Sequence, residues 1–203
     1  MKSHEKAVTS IIESTRVPLG PMAVRAVAAE AQSHNLDFRM QRQLHSNWCW
    51  AAVATSVAMF YNPKSKWTQC RVANRNLKRR SCCGKRGRKC NKIGHLQDSL
   101  KLVGHHETPP FLKGRIPFRR AQQEIDAGRP IGVRTQWRGG EVGHFITIVG
   151  YNTGLEMLTV EDPTYGKTHV HYRVFCRDYR GSGKWTHSYC TKGEQNGNAA
   201  AGH

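Results

Sequence analysis

Residues Cys49–Tyr61 read CWAAVATSVAMFY, and a run this apolar has to lie in the core of any fold that the chain adopts. Its side chains are apolar on almost every side, which is typical of a buried helix rather than an amphipathic surface helix. The alanines allow neighbouring segments to approach closely, and Asn62 with Pro63 ends the helical pattern. The sequence therefore predicts a buried helix whose first residue is a cysteine.

The chain beyond this helix predicts two further helices and then a series of strands. The helices are predicted at residues 93–103 and 119–127, and Gly128 ends the second one. β-Branched and aromatic residues are concentrated in five later segments, at 131–136, 144–151, 155–161, 168–175 and 185–190. Helices followed by strands favour a single α+β domain.

Composition divides the chain into three parts. We expect a flexible leader at residues 1–37, a globular domain at 38–192 with a basic cysteine-rich insertion at 67–92, and a disordered tail at 193–203. The start resembles a secretory signal peptide only weakly, because Glu13 and Arg16 interrupt its apolar run. The sequence contains no run of eighteen apolar residues, so no membrane span is expected.

The chain is strongly basic, with 32 Lys and Arg against 14 Asp and Glu and a formal net charge of +18. Such a charge attracts nucleic acid, anionic membranes or acidic proteins, but it says nothing about the fold. Ten of the basic residues lie between Arg71 and Lys92, where no aromatic residue is available to stack on bases. We therefore expect no nucleic-acid partner, and interpret the segment as a solvated loop that steers acidic substrates or aids solubility.

The chain has seven cysteines, so one is left over if the others pair. With Cys49 as a free thiol, six remain, namely Cys70, Cys82, Cys83, Cys90, Cys176 and Cys190. Disulfides are expected among the first four, and Cys176 with Cys190 is a possible third pair in an oxidising compartment. Reduced structural thiols fit the same count. Zinc is an alternative for the first four, but adjacent Cys82 and Cys83 lack the usual ligand spacing, and we expect no metal or other cofactor.

A hairpin in the strand-rich half is predicted to bring a histidine and an aspartate together. The turn residues 152–154 separate two strands, and a three-residue loop pairs Tyr151 with Leu155. Continuing this register places His144 opposite Asp162, with Cβ atoms about 5 Å apart. A carboxylate at that distance fixes the tautomer of an imidazole. The alternative is a chance pair at the rim of the sheet.

Cys49 is a candidate nucleophile because of its position at the start of the buried helix. Free backbone N–H groups and the positive end of the helix dipole meet there, and both favour a thiolate. A cysteine nucleophile also needs an imidazole base and a donor for the oxyanion. The alternative is a buried structural cysteine, which is a common use of a free thiol.

Three segments resemble the active-site motifs of the papain-like cysteine peptidase superfamily, in the same order along the chain. They are QLHSNWCWAA at 43–52, GHFITIVGY at 143–151 and EDPTYG at 161–166. The resemblance implies Cys49 as nucleophile, His144 as general base, Asp162 as the residue that orients it, and Gln43 as the oxyanion-hole amide. It also implies a papain-like α+β fold, with a central N-terminal helix that bears the cysteine. That helix packs on a C-terminal antiparallel β-sheet or half-barrel that bears the histidine and the aspartate.

Within the superfamily the motifs are similar to those of compact bacterial peptidases, including avirulence-type effector proteases. This implies a monomeric bacterial cysteine endopeptidase with a protein or peptide substrate. It is expected to be secreted or translocated as an effector, and the alternative location is the bacterial cytoplasm. The Cys49–His144 interval of 95 residues is shorter than the roughly 130–150 of papain. Rival functions are an acyl transferase or deamidase with the same three residues, and a non-catalytic basic binding module. Trp50 is interpreted as a packing residue rather than a shield for the His–Asp contact.

Overall fold

The structure, a computed structural model, describes residues 31–84, 87–107, 111–140 and 142–193. Its first half consists of three helices and a short 3₁₀ helix. They are α1 (Cys49–Tyr61), α2 (Gln69–Asn76), the 3₁₀ helix Gly87–Cys90 and α3 (Leu96–Leu102). Every residue of α1 from Cys49 to Ala58 is buried, and α1 packs against both α2 and α3. The buried helix predicted from the apolar run is therefore confirmed.

The rest of the domain is built around one antiparallel sheet, whose first strand precedes α1. Its strands are β1 (Ser33–Asn35), β2 (Leu112–Lys113), β3 (Ile131–Trp137), β4 (Gly143–Asn152), β5 (Met157–Asp162), β6 (Gly166–His171) and β7 (Gly183–Tyr189). They are ordered β2-β7-β3-β4-β5-β6, with β1 added beside β4. Two helices, α4 (Phe118–Asp126) and α5 (Tyr172–Asp178), complete the domain. The expected papain-like α+β architecture is confirmed.

Strand β4 is the centre of the domain. Helices α1 and α4 both pack against it, and β4 is accordingly buried from His144 to Tyr151. A strand buried on both faces reads as a continuous apolar run, as this one does. The contact between α1 and β4 brings the start of the helix, at Cys49, towards the start of the strand, at His144.

The described sheet includes residues of the segment expected to be a leader. Ser33–Asn35 form β1, and Asn35 lies opposite Gly150 of β4. A Cβ at Gly150 would lie 2.0 Å from the Asn35 side chain, so the close pairing requires glycine there. Phe38 is buried in the core just beyond the strand. The rest of the expected leader, up to residue 30, and the tail from 194 lie outside the described residues.

Two predicted elements differ from the structure. The strand predicted at 168–175 ends at His171, and α5 follows because the His171 side chain accepts the N–H of Arg173 and caps the helix. Helix α2 lies in the insertion, which we interpreted as a solvated loop. The Thr68 side chain caps α2 by accepting the N–H of Arg71, a signal that the sequence did contain. Within the described part of the chain, no helix is long and apolar enough to cross a bilayer.

The insertion contains both disulfides that the structure describes, Cys70–Cys83 and Cys82–Cys90. The prediction of disulfides among these four residues is confirmed, and it leaves no thiolates there for zinc. The predicted Cys176–Cys190 disulfide is wrong, because both thiols are free.

The positions of Cys176 and Cys190 explain why they do not pair. Next to Cys176 on α5, the Phe175 ring contacts Trp185 of β7 at 5.2 Å between centroids. Cys190 follows five residues later along an extended chain, which corresponds to about 16 Å.

Candidate active site

The β4–β5 hairpin has a different register from the predicted one. Asn152 pairs with Met157, so the loop contains four residues rather than three, and the predicted Tyr151–Leu155 pair is wrong. The Asn152 side chain accepts the N–H of Leu155 at 3.0 Å and closes the longer turn. Glu156 then takes a positive φ of 49° before β5 begins. Side-chain closure by an asparagine explains the longer turn.

A β-bulge in the same hairpin restores the predicted face. The register shifts between Ile148 and Gly150, which leaves Val149 as an extra residue in β4. Beyond the bulge Thr147 pairs with Glu161, an offset of two residues from the prediction. An even offset keeps side chains on the same face of a sheet, and diagonal neighbours remain within reach of long side chains. The two predicted partners therefore still lie on one face.

The His144 and Asp162 side chains form a buried hydrogen bond. His144 Nε2 lies 2.9 Å from Asp162 Oδ1, and the two residues are only 8% and 2% exposed. The same Oδ1 accepts the backbone N–H groups of Thr164 at 2.7 Å and Tyr165 at 3.0 Å. Oδ2 accepts the Tyr179 hydroxyl at 2.9 Å. Groups other than His144 donate hydrogen bonds to both carboxylate oxygens, so the position of the carboxylate does not depend on the histidine. The carboxylate can therefore orient the imidazole.

The electrostatics of this pair favour an imidazolium next to a carboxylate. Burial works to raise the pKa of Asp162, but the hydrogen bond and charge of His144 and the two backbone donors outweigh it, so that pKa is lowered. Burial likewise works to lower the pKa of His144. Hydrogen bonds to Asp162 and Cys49 outweigh it and raise that pKa from 6.5 to about 9. Since Nε2 is engaged by Asp162, Nδ1 is the nitrogen that faces the Cys49 thiol.

Cys49 is the first residue of α1 and is 7% exposed. No side chain caps the helix at Trp48, and the N–H groups of Ala51 and Ala52 donate to the Trp48 carbonyl at 3.0 and 2.9 Å. The sulfur and His144 line a small cleft of about 100 Å³. Its other walls include Asn47, Ile93, Gly94, Trp137 and Phe145.

One wall of the cleft is formed by Ile93 and Gly94, at the end of the segment 90–94, which is held against the start of α1. The indole N–H of Trp48 donates to the Cys90 carbonyl at 2.7 Å, and that of Trp50 donates to the Lys92 carbonyl at 3.1 Å. A Cβ at Gly94 would lie 2.5 Å from the Trp50 ring, so only glycine fits there. Trp50 is fully buried, and its expected role in packing agrees with these contacts.

A different tryptophan covers the histidine. The Trp137 ring is stacked over His144 with centroids 5.9 Å apart and planes 22° apart, and it also stacks on Tyr179. Tyr165 meets the edge of the imidazole at 6.2 Å. These rings limit access of water to the His144–Asp162 bond. Our sequence analysis missed all three rings, although the β3–β4 hairpin implied by the glycine-rich turn after Trp137 was a usable signal for that residue.

Gln43 connects the segment before α1 with the loop after β5 through hydrogen bonds, and it is not among the residues that line the cleft. Its Nε2 donates to the carbonyls of His45 at 3.1 Å and Ser46 at 2.8 Å, and its Oε1 accepts the Thr164 hydroxyl at 3.1 Å. The reversed amide would set an oxygen against two carbonyls, so the orientation is fixed by its partners. Gln43 N also donates to the Pro163 carbonyl at 2.9 Å. The structure thus gathers Cys49, His144 and Asp162 in one place, and the oxyanion role of Gln43 stays a prediction.

Comparison with known proteins agrees with this geometry. A search of curated proteins gives no match. A protein-family model does match, over residues 35–192, and its description is Peptidase_C39 like family. The match covers all seven strands apart from the first two residues of β1, together with the helix that starts at Cys49. Because a match of this length exceeds half of the sequence, the chain belongs to the Peptidase_C39 like family of cysteine peptidases.

Proposed function

We propose that this cysteine peptidase hydrolyses peptide bonds through a thioester on Cys49, with His144 as the base and Asp162 as the residue that orients it. The observation that supports this most directly is the buried 2.9 Å bond between His144 and Asp162, beside a cysteine at a helix start. A thiolate–imidazolium pair requires that arrangement, because the thiolate is the nucleophile and the imidazolium needs a counter-charge.

The first half of the reaction forms the acyl-enzyme. His144 Nδ1 accepts the thiol proton, and the Cys49 sulfur attacks the substrate carbonyl carbon. The N–H of Cys49 donates to the oxyanion that develops. Gln43 is the proposed second donor. Its Nε2 exchanges a backbone carbonyl for the oxyanion because a hydrogen bond to an anion is stronger than one to a neutral acceptor.

The second half restores the enzyme. The imidazolium protonates the leaving amine as the carbon–nitrogen bond breaks, which leaves a thioester and neutral His144. Water then attacks the thioester while His144 takes its proton, and the carboxylic acid product departs as the thiol is reprotonated. Asp162 keeps Nδ1 aimed at the sulfur and stabilises the cation each time it forms.

The proposed biological setting is a bacterial enzyme that is secreted or translocated as an effector and acts as a monomer on protein or peptide substrates. Two disulfides within 21 residues of the insertion favour an oxidising destination. No nucleic acid is required by the proposed chemistry. Fractionation of the producing cell tests the destination, and sedimentation of the purified chain tests the monomer.

The experiment that tests the reaction compares wild type, Cys49→Ala and Cys190→Ala on a peptide library, with products identified by mass. We expect cleavage by wild type and Cys190→Ala, and none by Cys49→Ala. A papain-directed epoxide should add its mass to Cys49 and stop turnover. If an acyl donor is consumed only in the presence of an amine acceptor, the enzyme is a transferase that uses the same thioester. If ammonia is released from glutamine side chains, the enzyme is a deamidase. Cleavage by Cys49→Ala would refute the mechanism.

A further inference from the structure

A second cavity, apart from the Cys49 cleft, lies in the insertion and is lined almost entirely by cations. Its volume is about 840 Å³. The lining cations are Lys66, Arg71, Arg75, Lys78, Arg79 and Arg80, and Trp67 and Asn74 complete it. We call this surface the basic groove. No carboxylate is among its lining residues, whereas the chain as a whole carries 14 Asp and Glu.

The cations of the basic groove have no carboxylate partners within the described residues. Every ion pair that the structure describes joins other residues. Six like charges around one concave surface repel each other and concentrate a positive potential there. An anionic group that enters the groove relieves this repulsion, so the surface has a built-in preference for negative charge.

The groove is held by a braced backbone. Thr68 caps α2, and the Cys70–Cys83 disulfide joins the helix to the end of the following loop. Within that loop Lys78 takes a positive φ of 51°, and Arg79 N donates to the Asn74 carbonyl at 2.8 Å. These constraints fix where the charged side chains emerge, which reduces the ordering cost of binding. The expected solvated loop is therefore a shaped surface.

The basic groove is also connected to the Cys49 cleft. The loop that carries Arg79 and Arg80 continues into Cys82, which is joined by a disulfide to Cys90. Cys90 begins the segment 90–94, which ends at the cleft-lining residues Ile93 and Gly94, and its carbonyl accepts the Trp48 indole N–H. The cleft wall at Ile93 and Gly94 thus directly follows the disulfide-closed segment 70–90, which presents five of the six cations.

We propose that the basic groove docks an acidic segment of the polypeptide substrate, outside the residues that flank the scissile bond. This rests on the proposed peptidase function. An acidic polypeptide fits better than a single-stranded nucleic acid, because only Trp67 is available to stack on bases. It fits better than a membrane, because Trp67 is the one apolar side chain among the lining residues, and insertion into lipid requires a larger apolar face.

The test uses two peptides with the same cleaved sequence, one with a tract of Glu and Asp and one with Gln and Asn in its place. For wild type we expect kcat/KM about ten-fold higher on the acidic peptide at low salt, since a few exposed ion pairs each contribute modestly. The gain should lie in KM and disappear at high salt. Arg79→Glu/Arg80→Glu should reduce the ratio to about one, and Arg79→Gln/Arg80→Gln to an intermediate value. Arg119→Glu/Arg173→Glu, an equal charge change on α4 and α5, should keep it.

Binding to the full chain with Cys49→Ala separates this proposal from the proposed reaction. Anisotropy of a labelled acidic-tract peptide should report binding that Arg79→Glu/Arg80→Glu abolishes, whether or not any peptide is cut. Equal affinity for the two peptides, or a ratio that survives the charge reversal, would overturn the docking site. The docking site would also be overturned if the acidic peptide did not bind, while a labelled oligonucleotide or a phosphatidylserine vesicle bound in a way that depends on Arg79 and Arg80.

Discussion

Replacement of Asp162 by asparagine tests the electrostatics of the His144–Asp162 pair. The pKa of His144 rises from 6.5 to about 9, although burial opposes the rise. One pKa unit corresponds to about 1.4 kcal/mol, so the site as a whole, burial included, favours the imidazolium by roughly 3 kcal/mol. Asparagine keeps the shape and removes the charge. We therefore expect the pKa of His144 in Asp162→Asn to fall by about one to three units, the usual effect of one nearby opposite charge.

The assay is kcat/KM against pH on the best library peptide. Protonated His144 is needed for departure of the amine, so wild-type activity should decline as the pH rises through about 9. The alkaline limb of Asp162→Asn should move to lower pH by the same one to three units. The matched control is Asp37→Asn, because Asp37 is 89% exposed and pairs loosely with Arg39 at 3.7 Å.

Stability gives an independent measurement of the same pair. A raised histidine pKa contributes stability that is fully present below pH 6.5 and is lost as the pH rises through about 9. The lowered pKa of Asp162 contributes stability above its unfolded value of 3.8, lost as the pH falls. The Tm difference between wild type and Asp162→Asn should thus be largest between about pH 4 and 6.5. An unmoved alkaline limb together with a pH-independent Tm difference would refute this account of the pair.

Three further outcomes are expected from the same geometry. Iodoacetamide should label Cys49 before Cys176 and Cys190, because burial raises the pKa of those two thiols, and faster labelling of either would speak against Cys49 as the nucleophile. Denatured protein that has not been reduced should expose three thiols. Tyr179→Phe removes a hydrogen-bond donor to Asp162, so it should lower the free energy of unfolding, measured by urea titration, by about 1.5–3 kcal/mol and reduce kcat/KM. Unchanged values of both would contradict this hydrogen bond. Gly94→Ala should displace Trp50 and cut kcat/KM at near-normal fold by circular dichroism, and full activity would contradict the described cleft wall.

The sequence was informative where a single local pattern determined the structure. The apolar run that begins at Cys49 has only one stable place, the core, and α1 lies there. The concentration of β-branched residues around β3, β4 and β5 likewise predicted strands at nearly the observed positions. Such patterns report burial and backbone preference, which act within one element and need no knowledge of distant residues.

The sequence was uninformative where contacts depend on how elements pack. Trp137, Tyr165 and Tyr179 surround the His144–Asp162 pair from β3, the loop after β5 and the loop after α5. No spacing rule links these positions, because their distances follow from the order of strands in the sheet. The cleft wall at Ile93 and Gly94 is a similar case, since the segment that leads to it depends on which cysteine Cys82 pairs with, and spacing alone does not give connectivity.

The His144–Asp162 contact shows why a wrong register still gave the right pair. The observed loop is one residue longer than predicted, and it pairs Asn152 with Met157. Without a bulge this odd offset would extend along the hairpin and turn Asp162 to the opposite face from His144. The extra residue at Val149 shifts the register by one more residue, so beyond the bulge the total offset is even. The His144 and Asp162 side chains therefore lie on the same face, as predicted. Alternation of buried and exposed residues did not specify that face, because both strands are buried along almost their whole length. The predicted face was right although the predicted pairing was wrong, because the shifts at the turn and at the bulge compensate in parity.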